Sequence, residues 1–144
     1  MSSQATVDLA EIRRVMGEAN RISQALGFAT EDPETGLQLM EHWLPEPIKE
    51  LLIEEHKRPD EERTHVALVK YFNPYGTGTW YFSEYDPEAD EFFGLSVLQF
   101  RELGYTSNGE LRGIRAPPFK LPLERDLWFE PRSLSEIMEA EAEG

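Results

Sequence analysis

Residues 65–93 constrain this chain more than any other stretch, because they read as two paired strands leading into a third. Residues 65–72 are rich enough in β-branched and aromatic side chains for a half-buried strand. Residues 73–78 supply turn chemistry, since Pro74 pre-sets one φ angle and Gly76 and Gly78 accept positive φ. Residues 79–85 form a second aromatic strand, so the pair is a hairpin with a long loop. An acidic turn over 86–91 then leads into the apolar run 92–98. The expectation is a small antiparallel sheet on these three runs, with helices packed on one side.

The flanks supply the helices, and the class is therefore α+β. Ile12, Val15, Met16, Ala19, Ile22 and Leu26 fall at helical spacing between Thr6 and Gly27. That predicts an amphipathic N-terminal helix capped by Thr6 or Asp8 and stopped at Gly27. Residues 28–36 read as a connecting loop, and the apolar patch of Leu37, Leu39, Met40, Trp43 and Leu44 as a short helix or an extended linker. A middle helix follows over 45–56, with Pro47 tolerable in its first turn. Residues 99–105 are expected to bend back toward the sheet. Ser107 with Glu110, and Ser133 with Glu136, each have capping-box spacing, so they open a short helix and an acidic C-terminal helix. Between them, Pro117, Pro118 and Pro122 exclude central strand or helix. Residues 123–129 are expected to end in another apolar strand.

Composition narrows the partners. The 144 residues carry 28 Asp and Glu against 14 Lys and Arg, a net charge of −14. Such a surface repels phosphates, so direct nucleic-acid binding is disfavoured. It suits a partner with a basic surface. Cysteine is absent, which removes disulfides and thiolate chemistry. No apolar run reaches the roughly 20 residues of a membrane helix, and the first residues lack the pattern of a signal peptide. A cytoplasmic setting and no membrane are the expectation.

Candidate chemistry is sparse. Glu84 and Asp86 project from one face if the strand continues. Together with Asp126 they are the set that a metal-assisted hydrolase would use, although residues 86–91 lack the ligand spacing and central glycine of a Ca²⁺ loop. His42, His56 and His65 are too scattered for a zinc motif, so no metal and no cofactor are expected. Arg125, between Glu124 and Asp126, reads as a structural ion pair that fastens its turn to the sheet, with Glu84 as the expected partner. Strand alternation sets Trp80 and Phe82 opposite Tyr81 and Tyr85. One of these sets is core, and the other is core or an aromatic binding face. Stacking of nucleic-acid bases on the tyrosines is a further alternative. The residues expected to meet a ligand are Trp80, Tyr81, Glu84, Tyr85, Asp86 and Tyr105.

From Trp43 to about Ile137 the ordered set of segments resembles DUF2958, a family of uncharacterised proteins of plasmids, integrative elements and phages. The resemblance is carried by residues 44–48, 69–74, 79–81 with Glu84 and Asp86, 92–95, 102–105, 110–111, and 121–127 with Phe129. It implies a mobile-element origin and brings no catalytic motif. Residues 1–42 extend beyond that pattern. The chain therefore reads as an N-terminal helical extension, 1–42, on an α+β core, 43–144. The functional expectation is a non-enzymatic accessory protein that binds and inhibits a host protein, such as transcription, restriction or CRISPR machinery.

Overall fold

The structure, a computed structural model, describes residues 8–26 and 40–143. Helix α1 spans Leu9–Leu26. Asp8 caps it, because its Oδ1 accepts from the N–H groups of Ala10 and Glu11 at 3.0 and 3.2 Å. The alternative cap Thr6, the stop at Gly27 and the loop 28–36 lie outside the described residues. Helices α2 (Met40–Trp43) and α3 (Glu46–Lys57) follow, with Pro47 in the first turn of α3. A 3-10 turn, Asp60–Glu62, leads to the short strand β1, Val66–Ala67.

The main sheet is antiparallel throughout. In chain order its strands are β2 (Val69–Phe72), β3 (Thr79–Asp86), β4 (Glu91–Val97) and β5 (Arg101–Ser107). After α4 (Asn108–Gly113) and a two-stranded ribbon of β6 (Arg115–Ala116) with β7 (Leu121–Pro122), β8 (Glu124–Arg125) joins it. The spatial order is β5-β4-β3-β2-β8, so the aromatic strand β3 is central. Strand β9 (Arg132–Ser133) pairs with β1 and runs into α5, Leu134–Glu143. Both expected capping serines act as such: Ser107 Oγ accepts from Glu110 N–H at 3.2 Å, and Ser133 Oγ from Glu136 N–H at 3.1 Å.

The α+β expectation holds, but helices do not lie on one side only. The main core joins Met16 and Ala19 of α1, Trp43, and Ile48 and Leu52 of α3 to Tyr71, Phe82 and Phe92 of the sheet. A second core lies on the other face, where α5 sets Leu134 and Ile137 against Ala67, Tyr81 and Leu95. Strand β3 is buried on both faces, and a sheet covered on one face would leave Tyr81 and Leu95 in water. Helix α1 contributes Met16 and Ala19 to the main core.

One irregularity re-aims the aromatics. The β3–β4 register slips between Phe82, which faces Gly94, and Glu84, which faces Phe93. Ser83 is thus the extra residue of a bulge. Period-2 alternation would put Phe82 and Tyr85 on opposite faces, whereas the bulge returns both to the main core. Phe92 stacks on Phe82 with ring centroids 4.5 Å apart and lies 5.2 Å from Tyr85. Gly94 allows the approach, since a Cβ there would sit 2.0 Å from the Tyr81 carbonyl oxygen.

The apolar strand expected at the end of residues 123–129 does not form, since strand pairing there is confined to Glu124–Arg125. Asp126 Oδ1 accepts from Trp128 N–H at 2.9 Å and turns the chain, a local bond that competes with strand pairing. Phe129 still reaches the second core beside Tyr81, but Trp128 is 76 % exposed.

Candidate docking surface

Most residues singled out in the sequence are inside. Trp80 and Tyr85 belong to the main core and Tyr81 to the second. Their rings are packing rather than an open aromatic platform. Burial, reinforced by hydrogen bonds, raises the phenols: Tyr81 is pushed up to about 12, with Glu141 3.2 Å from its hydroxyl. Tyr85 is raised by burial and then by donating to Asp90 Oδ1 at 2.5 Å. Asp90 also accepts from Asn108 Nδ2 at 3.0 Å, and Asn108 Oδ1 accepts from Trp43 Nε1 at 2.7 Å. This chain of bonds ties α2, the β3–β4 turn and α4 together, and satisfies polar groups that would otherwise be buried at a cost.

Glu84 and Arg125 do not pair. Glu84 is almost fully buried, and its Oε1 accepts from His56 Nδ1 at 3.2 Å with Arg63 Nη1 at 3.8 Å. Asp86 Oδ2 lies 3.6 Å from His56 Nε2, which places the imidazole between the two carboxylates. The one-face expectation for Glu84 and Asp86 is met, and α3 supplies the histidine that both contact. Arg63 also donates to the carbonyls of Arg58 and His56 at 3.0 and 2.9 Å, closing the α3–β1 connection.

Arg125 instead reaches α1 and α2. Its Nε donates to the His42 carbonyl at 3.1 Å, Nη2 to Ser23 Oγ at 2.6 Å, and Nη1 to Asn20 Oδ1. Burial lowers its pKa, and the bonds to neutral oxygens replace the carboxylate that the sequence pointed to. Asp126 pairs with Lys70 at 3.7 Å. Glu84 and Asp86, both on β3, therefore share His56, whereas Asp126 is held apart from them by Lys70. Among the described residues no group of three or more His, Asp or Glu is placed to hold a metal ion.

The outward surface carries two features. The first is an acidic ridge: Glu46, Glu50 and Glu54 repeat at i, i+4 and i+8 along exposed α3, with Lys57 at its C-terminal end, and Asp60, Glu61 and Glu62 follow in the separate 3-10 turn, where Asp60 pairs with Arg63 at 2.9 Å. Helix α3 packs over the sheet through Ile48 and Leu52, so the glutamates face away from it. The second is apolar. Phe100 is 74 % exposed, Tyr105 53 %, Leu103 50 % and Leu98 49 %, all in β5 or the turn before it. Sequence reading found Tyr105 but not the strand it belongs to. Leu103 and Tyr105 at i, i+2 were the available signal, masked by Glu102 and Gly104, which are poor strand formers.

No helix among the described residues is long and apolar enough to cross a membrane. No curated protein and no solved structure matches the sequence. A family model does match, over residues 43–144, the segment that holds the whole sheet and the polar clusters built on it. The chain belongs to the family described as Protein of unknown function (DUF2958).

Proposed function

We propose that this chain is an accessory protein of a phage or other mobile element that binds a basic surface on a host protein and blocks it. Transcription, restriction or CRISPR machinery supplies surfaces of that kind, because such proteins hold nucleic acid through Lys and Arg. The acidic face of α3 carries the reading: Glu46, Glu50 and Glu54 project from one side of the helix, and Glu61 and Glu62 stand exposed in the 3-10 turn that follows. A rigid helix presents Glu46, Glu50 and Glu54 at fixed spacing, and a net charge of −14 adds long-range attraction to a cationic partner.

The test is affinity purification from host lysate with the wild-type chain and with the triple variant Glu46→Lys, Glu50→Lys, Glu54→Lys. The three sites are exposed, so the variant keeps the cooperative unfolding of the wild type. The wild type retains a host protein at about 0.1 M salt and releases it near 1 M, where the Debye length falls to roughly 3 Å. The variant retains none. Capture that is indifferent both to salt and to the triple reversal refutes the ridge as the binding face.

A further inference from the structure

We infer that two copies of this chain pair through strand β5, antiparallel about Gly104, to form one continuous ten-stranded sheet. The sheet treats its two edges differently. At one edge β8 is only two residues long and follows Pro122. At the other, β5 runs for seven residues in unbroken register with β4, from Arg101 opposite Val97 to Ser107 opposite Glu91. It contains no proline and no bulge, the usual devices that stop an edge from recruiting another strand. It is the outermost strand of the sheet, with β4 as its neighbour. Exposed apolar side chains lie there as well, Leu103 and Tyr105 on the strand and Leu98 and Phe100 in the turn before it.

The register names the occupant. With the two-fold axis at Gly104, all seven residues pair: Leu103 faces Tyr105 of the second copy, Glu102 faces Thr106, and Arg101 faces Ser107. No like charges oppose each other, which is a demanding condition for a chain of net charge −14. Leu103 and Tyr105 stand opposite Leu95 and Phe93 in the β4–β5 ladder, so they lie on the face of the second core. Four half-exposed side chains, two from each copy, close over one another and extend that core across the axis. Gly104 opposite Gly104 keeps the other face of the junction low. Roughly six to eight backbone hydrogen bonds form, two for every second pair. At roughly 200 Å² for a fully exposed side chain of this size, Leu103 and Tyr105 leave about 200 Å² open per copy. Two copies close about 400 Å² of side chain across the axis, to which the two paired backbones add. The pairing lies in the plane of the sheet and leaves the α3 ridge uncovered, so a dimer carries two ridges.

Sedimentation equilibrium on the full chain at about 1–100 μM reads the result. The expected mass is twice that of the chain, and association tightens from about 0.05 to 0.3 M salt as repulsion between acidic copies is screened. That salt response is opposite to the one expected for the ridge, so the two readings fail separately. Leu103→Lys with Tyr105→Lys, and separately Leu103→Asp with Tyr105→Asp, change exposed side chains and keep the wild-type monomer fold by circular dichroism. Each variant alone associates at least tenfold more weakly, because position 103 then meets a like charge at position 105. Mixing the two variants restores the dimer mass. A wild-type chain that stays monomeric at about 100 μM overturns the inference. Dimers that survive either double variant, or a mixture that stays monomeric, overturn it too.

Discussion

Arg125 offers the sharpest test of how the sheet is fastened to its helices. It is 4 % exposed and donates to Asn20, Ser23 and the His42 carbonyl, so one side chain joins β8 to α1 and α2. Among the described residues it has no ion-pair partner. Each hydrogen bond from a charged donor contributes about 1.5–3 kcal/mol. Arg125→Ala loses three and leaves their acceptors in a site closed to water. Against that, the variant no longer desolvates a guanidinium, a burial that costs several kcal/mol. The net destabilisation is therefore about 2–4 kcal/mol rather than the full sum of the bonds.

The same loss would follow from a broken Arg125–Glu84 pair, so the single variant does not separate the two arrangements. A pair of double-mutant cycles does. Arg125→Ala with Ser23→Ala couples by about 0.5–3 kcal/mol, because the two side chains touch. Arg125→Ala with Glu84→Gln adds to within about 0.5 kcal/mol, because the two share no partner. Urea unfolding followed by far-UV circular dichroism supplies all the free energies. Coupling to Glu84 that exceeds coupling to Ser23 refutes the bonding pattern described here.

Two further outcomes follow from single residues. Gly94→Ala sets a Cβ 2.0 Å from the Tyr81 carbonyl and 2.8 Å from Phe82 Cα, both backbone atoms in the middle of the sheet. It destabilises by at least about 3 kcal/mol in urea, at the upper end of overpacking effects, and a loss below about 1 kcal/mol contradicts the close approach. His42 is held below its ordinary pKa, by burial first and by the positive charge of Arg125 second, and its Nδ1 has no hydrogen-bond partner. The unfolded chain therefore takes up this proton more readily, so the stability that neutral His42 contributes is complete above about pH 6.5 and is lost as pH falls below it. Between pH 7.5 and 5, His42→Gln loses stability less steeply than the wild type, by up to about 1.4 kcal/mol per pH unit. Parallel stability curves contradict this burial of His42.

What the sequence determined by itself is local. The N-terminal helix, the capping serines Ser107 and Ser133, the 73–78 loop and the three sheet-forming runs each rest on spacing or on a side chain bonding a nearby backbone group. Those forces act within a few residues and remain visible in a linear string. The family pattern was legible for a related reason, since its segments keep their order along the chain. Tertiary structure decided everything that depends on which surface meets which. The bulge at Ser83 turns Tyr85 to the same face as Phe82, because the β3–β4 ladder must close over Gly94 and Phe92 at once. Arg125 takes its partners from residues more than 80 positions away, and Glu84 finds His56 28 positions away, because burial brings donors and acceptors together regardless of separation. Helix α5 covers the second face because a central strand apolar on both sides must be enclosed on both. The open β5 edge emerges only from the strand order: whether a strand has one neighbour or two is a property of the whole sheet.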